Sequence, residues 1–314
     1  MDTLHLVDPE LRPLLDAWPT IALSDAALTA MRGAERTMPL PPVPDGLARH
    51  ELHRANGPEG RPVDLHVWRP LQPAAIPTSC IYHIHGGGYV SGSASVMGFL
   101  LAPMAAATGC PVVSVEYRLA PETPHPGPVE DCYAGLAWVV ANAATLGINP
   151  ARIGVAGESA GGGLAAALAL LARDRAEHPL AFQQLIYPML DDRTCVRAPN
   201  PCTGEFVWTP HNNRFGWSAL LGTGPGGPAI PPYAAAARAS DLAGLPPTYI
   251  ATGALDLFVD EDLDYAQRLI AAGVPTELHV YPGAFHGFEL MRGAAVAKQA
   301  TANRIAALQR FTRA

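Results

Sequence analysis

The sequence has no uninterrupted apolar stretch near the roughly 18 residues that a membrane span needs. Its opening, Met1-Asp2-Thr3-Leu4-His5, lacks the basic segment and apolar core of an export signal. These absences lead to the expectation of a soluble, cytoplasmic chain with no membrane span. Positive charge is also short. Lys and Arg number 21 against 28 Asp and Glu, a net charge of −7, and no basic run is long enough to follow a phosphate backbone, so nucleic acid is not an expected partner. Cysteine is sparse. Cys80, Cys110, Cys132, Cys195 and Cys202 form an odd set without CxxC spacing, several inside apolar runs. They read as buried thiols in a reducing compartment, and no metal site is expected. Glycine (30) and proline (32) are plentiful but follow no period, which excludes collagen-like and disordered readings. The 314 residues suit one large α/β domain with an elaboration.

The most informative stretch is Gly157-Glu158-Ser159-Ala160-Gly161-Gly162, after the apolar run Arg152 to Ala156 and before the Ala/Leu-rich run Leu164 to Leu171. Strand, sharp turn and helix in that order spell a nucleophile elbow. Such a turn strains the serine backbone and needs small residues two before and two after it, as Gly157 and Gly161 are. Glycine-rich turns also occur between strands and helices without any chemistry, so the elbow needs partners.

Around it the chain reads as alternating elements. Residues 1–45 hold helical patterns over Asp8 to Trp18 and Asp25 to Arg36, then a proline-rich link over Met38 to Pro44. Val63 to Trp68 alternates like a half-exposed antiparallel strand. Cys80 to His85, Pro111 to Arg118, Phe182 to Pro188, Thr248 to Gly253 and Thr276 to Tyr281 read as further strands. Helices are expected at Ser95 to Thr108, Val129 to Asn142, Asp260 to Ala272 and Ala294 to Arg313. Strands alternating with helices imply a mostly parallel sheet with right-handed crossovers. The gap between Pro188 and Thr248 is too long for a simple crossover, so an insertion is expected there. Its Phe206, Trp208, Phe215 and Trp217 suit either a cover over an apolar pocket or a small satellite core.

A serine hydroxyl needs a base, and the base needs an orienting group. On a hydrolase sheet both follow the serine, acid before histidine, from loops at strand ends. Asp256 follows the strand ending Thr252-Gly253, and His286 lies in the glycine-flanked loop after the next. His279, inside a strand, reads as packed or surface. Asp260, Glu261, Asp262 and Asp264 compete for the acid role but cluster at a helix start, where carboxylates cap and complement the dipole. His85-Gly86-Gly87-Gly88 has the form of a loop that supplies N–H groups to an oxyanion, with the N–H of Ala160 completing the hole. His85 itself reads as a loop brace.

These motifs, HGGG at 85–88 and GESAGG at 157–162, with Tyr117 to Glu122, Glu130-Asp131, Asp256 and His286-Gly287-Phe288, resemble the bacterial hormone-sensitive-lipase family of esterases. The resemblance covers roughly residues 60–314. It implies an α/β-hydrolase fold and a carboxylester hydrolase acting on a small-molecule ester of short to medium acyl chain, without cofactor and often as a homodimer. By motif position the triad is Ser159, Asp256 and His286, and Gly86, Gly87, Gly88 and Ala160 surround the oxyanion. A helical cap is expected from residues 1–45 and 191–230, on a catalytic domain of 46–190 and 231–314, with Tyr89, Phe206, Trp208 and Trp217 as pocket residues. Two positions depart from the family. Glu158 stands where Asp or Thr is usual, and His125 where an aromatic residue is usual. An amidase or carbamate hydrolase using the same triad, or a receptor that kept the pocket and lost catalysis, are the alternative functions.

Overall fold

In the computed structural model, which describes residues 3–18, 20–35, 42–74 and 77–313, the core is one eight-stranded sheet. The strands are β1 (Ala48–Asn56), β2 (Pro62–Pro70), β3 (Thr78–Ile84), β4 (Val112–Val115), β5 (Ile148–Glu158), β6 (Gln183–Ile186), β7 (Thr248–Gly253) and β8 (Thr276–Tyr281). Their order is β1-β2-β4-β3-β5-β6-β7-β8; β1 and β2 run antiparallel, and β4 to β8 form a parallel run. The helices are α1 (Arg12–Ala17), α2 (Asp25–Glu35), α3 (Gly98–Thr108), α4 (Gly127–Ala141), α5 (Ala143–Leu146), α6 (Ala160–Arg175), α7 (Pro210–Leu221), α8 (Val259–Ala271) and α9 (Ala295–Arg313).

Alternation along the strands builds two cores. Cys80, Tyr82 and Ile84 of β3, with Ile153 and Val155 of β5, pack on α4, α6 and α8. Ile81 and Ala156 point the other way, onto Leu101 and Met104 of α3 and Leu308 of α9. This two-sided cover explains why the central strands are apolar throughout.

Three expectations change. β2 is antiparallel but mostly buried rather than half-exposed, because Leu65 and Val67 face one helical layer and Trp68 the other. The helix expected over Asp8 to Trp18 is only six residues, starting where Pro13 can occupy a first-turn position without needing an N–H donor. β1 has no counterpart among the expected strands: its run ARHELHRAN carries charges on an edge strand, so it lacks the apolar alternation that marks a half-buried one. Arg36 and residues 38–41 of the proline-rich link lie outside the described residues.

The N-terminal segment and the insertion join over the sheet's C-terminal ends. The Leu23 N–H donates to Asn212 Oδ1 at 2.8 Å, and Asn212 Nδ2 donates to the Ile21 carbonyl at 2.8 Å. Leu23 and Leu28 pack with Val90, Met31 and Trp208. From α2, Arg32 donates to the carbonyls of Val90 and Ala120, each at 2.7 Å, clamping the segment onto the loop that follows the glycines. The His125 N–H donates to the Leu220 carbonyl at 2.7 Å, so the loop carrying that departure docks on α7.

Candidate active site

β5 delivers the nucleophile candidate. Ser159 follows it with φ 57° and ψ −123°, a conformation that costs a non-glycine residue about 1–3 kcal/mol, and α6 begins at Ala160. The turn survives because the residues two before and two after Ser159 have no side chains. A Cβ on Gly161 would lie 2.1 Å from the Ile84 carbonyl oxygen, and one on Gly157 would lie 2.3 Å from that of Gly161. Ser159 thus sits at the N-terminus of a 16-residue helix, where the peptide dipoles favour negative charge.

The loops after β7 and β8 bring Asp256 and His286 to the same place. The Ser159 hydroxyl is 2.9 Å from His286 Nε2, and His286 Nδ1 is 2.8 Å from Asp256 Oδ2. The second Asp256 oxygen accepts the Phe258 N–H at 2.9 Å. Asp256 is fully buried, so its charge is held by these donors rather than by water. This line of bonds fixes one tautomer: Nδ1 donates to Asp256 and Nε2 accepts from Ser159. Tyr187 packs against the imidazole with ring centroids 4.6 Å apart, and Phe258 meets it edge-on at 5.3 Å.

The glycine loop lies opposite. Gly87 has φ 120° and Gly88 φ 61°, and a Cβ on Gly88 would fall 2.1 Å from Trp208. Gly86 is equally confined, its Cβ position being 2.9 Å from the Glu158 carbonyl oxygen. His85 stacks on Tyr117 at 4.2 Å and its Nδ1 donates to the Gly86 carbonyl at 2.8 Å. Burial pushes its imidazole down to about 4, so it is neutral at neutral pH and braces the loop.

A cavity of about 850 Å³ opens over Ser159, His286 and the three glycines. Ile21, Leu23, Met31 and Trp208 wall it on one side, and Leu100, Pro103 and Ile305 on the side of α3 and α9. Of the four aromatic pocket candidates, only Trp208 lines it. Tyr89 and Trp217 are buried and pack on each other at 5.3 Å, with the Tyr89 hydroxyl donating to the Met189 carbonyl; Phe206 packs on Phe285. The apolar residues on Trp208's side of the cavity come largely from residues 18–31, where the sequence offers a helical pattern but no aromatic cluster.

The acidic residues opening α8 also differ from expectation, since the N-cap is Phe258, whose side chain accepts no hydrogen bond. Asp260 is exposed and meets Asn200 Nδ2 at 3.2 Å, and Asp264 faces Arg268. Glu261 turns inward instead, accepting the N–H groups of Leu190 and Asp191. Asp262 is fully buried near Thr252, without a well-formed hydrogen bond at either oxygen among the described residues. Burial pushes Glu261 up to about 8 and, with the charges of Glu261 and Asp256, pushes Asp262 well above the usual carboxylate range. Among the cysteines, all free, Cys202 is exposed rather than buried. No cluster of potential metal ligands occurs among the described residues, and no helix there is long and apolar enough to cross a membrane.

A parallel sheet presenting a serine elbow, a late acid and a late histidine beneath a cavity defines the α/β-hydrolase class. Residues 81–290 match the family described as alpha/beta hydrolase fold, and the chain belongs to that family. Esterase LipI of Mycobacterium tuberculosis is 35% identical over 308 residues, covering 96% of this chain and 94% of its own. Carboxylesterase NlhH of the same species is 36% identical over 314 residues, covering 97% and 96%. Among solved structures, that of a bacterial heroin esterase aligns with a TM-score of 0.90 at 40% identity, over 99% of this chain and 100% of that one. The resemblance to the bacterial hormone-sensitive-lipase esterases therefore extends over nearly the whole sequence.

Proposed function

We propose that the chain is a serine carboxylesterase with Ser159 as nucleophile, His286 as base and Asp256 as the orienting acid. The observation that carries this reading is the unbroken line from Asp256 through His286 to Ser159, open to an apolar cavity. His286 Nε2 takes the hydroxyl proton as Ser159 Oγ attacks the ester carbonyl, and the tetrahedral oxyanion is met by N–H groups of the Gly86-Gly87-Gly88 loop and of Ala160. The alcohol departs with the proton from His286, leaving an acyl-enzyme. Water, deprotonated by the same imidazole, attacks that ester and releases the acid. These steps are completed by the chain's own residues and water. The presence of every triad member argues against the receptor reading.

Residues 1–45 and 191–230 form the cap in this reading, supported by the bonds between the Ile21 to Leu23 segment and Asn212. A covered cavity limits acyl length, so hydrolysis is expected to favour short to medium chains. A cytoplasmic location and a homodimer complete the proposal, and sedimentation velocity tests the assembly. The function is tested by initial rates on p-nitrophenyl esters from acetate to palmitate, with one p-nitroanilide included. A maximum at short to medium acyl length with slow anilide turnover is expected. A preference for palmitate would overturn the cap reading, and preference for the anilide would make the protein an amidase.

A further inference from the structure

Beside the nucleophile lies a buried chain of charges that the mechanism does not use. Strand alternation sends His83 of β3 and Glu158 of β5 to the face covered by α9, where their side chains meet: His83 Nε2 is 2.8 Å from Glu158 Oε2. The other Glu158 oxygen accepts from Arg304 Nη2 at 2.7 Å, and Arg304 Nη1 lies 3.7 Å from Glu289 Oε1. Arg304 is only 4% exposed. Burial opposes the charge on Glu158, but His83 and Arg304 outweigh it and hold the carboxyl at about 2. Glu289 sits three residues after His286, in the turn Phe288–Leu290. Burial pushes its carboxyl up while Arg304 and Tyr187 pull it down, and His286 also acts to keep it ionised.

Resting on the triad reading above, we propose that Glu289 is a positioning residue for His286: held through Arg304 to Glu158, it ties the histidine loop to the nucleophile elbow. The connection runs from the strand that carries Ser159, through the C-terminal helix, to the loop that carries the base. A buried guanidinium is stable there only because carboxylates face it, so the two glutamates and the arginine hold one another in register. Tyr187 packs on the histidine ring at one end of this link, its phenol pushed up by burial and by the charges of Glu289 and Glu158.

The test uses the full chain on p-nitrophenyl butyrate, comparing wild type with Glu289→Gln, Glu289→Asp and Ser159→Ala between about pH 5 and 9. For Glu289→Gln, kcat should fall about tenfold with KM within about twofold, as expected when the base is misplaced but the cavity is intact. Glu289→Asp keeps the charge that faces Arg304 with a shorter reach, so kcat should fall, but less than in Glu289→Gln. Wild-type kcat in Glu289→Gln, or a loss confined to KM, overturns the proposal. If Glu289→Gln does not fold, Glu289→Asp decides, and wild-type kcat in that variant overturns it. Turnover retained by Ser159→Ala would instead refute the triad reading, which keeps the two failures apart.

Discussion

At Asp256 both carboxylate oxygens are occupied, one by the histidine and one by a backbone N–H, and water has no access. Four residues on, Asp260 is exposed and accepts hydrogen bonds from the Asn200 amide. Asp256→Asn should therefore keep the fold but lose the charged orienter of His286, lowering turnover by up to about four orders of magnitude. Asp260→Asn should change stability by well under about 1 kcal/mol and leave turnover nearly intact. Parallel assays on one short-chain ester, with circular dichroism to check folding, separate them; an inactive Asp260→Asn beside a near-normal Asp256→Asn would reverse the assignment. Position after a strand end marks Asp256 in the sequence. Nothing there separates Glu261 and Asp262 from Asp260, because an inward turn of the first helical residues depends on what packs beside them.

At the level of elements, the elbow depends on a strand, a helix and the glycine loop approaching more closely than any side chain permits. Gly161→Ala places a methyl against the carbonyls of Ile84 and His85, so β3 or α6 must move. A loss of about 1–3 kcal/mol in unfolding free energy is expected, with turnover falling at least tenfold because the same shift misaligns Ser159 and the oxyanion loop. Urea melts and initial rates measure the two effects, and a variant with both unchanged would contradict this account of the turn. The central strands are legible in the sequence because helices cover both faces and leave continuous apolar runs. The edge strand β1 is not, since its pairing with β2 is a long-range backbone interaction that leaves charged side chains free to point outward. The same limit applies to the pocket: Trp217 and Tyr89 have the aromatic character of pocket residues, but they fill the core beneath the cavity rather than its wall.

For the molecule as a whole, buried carboxylates set opposing pH dependences. Glu158, held at about 2, contributes stability that is present above its unfolded value of 4.5 and is lost as the pH falls toward about 2. Glu261 has the opposite sign. Its folded value is raised to about 8, so the native state binds the proton more tightly and stability declines as the pH rises from 4.5 to about 8. Glu261→Gln retains an oxygen for the Leu190 and Asp191 N–H groups while removing the ionisation, so its melting temperature should decline less than wild type across that window. Thermal melts at intervals from about pH 5 to 9 test this, and parallel curves would contradict it.

The most direct test of the serine mechanism is covalent. The protein is incubated with a fluorophosphonate probe, whose phosphorus is attacked by an activated serine oxygen with loss of fluoride, and the labelled peptide is identified by mass spectrometry. One adduct per chain is expected, on the peptide containing Ser159, abolished in Ser159→Ala and strongly slowed in His286→Ala. Ester hydrolysis that persists in wild type without labelling at Ser159, or labelling that survives Ser159→Ala, would contradict the assignment of the nucleophile.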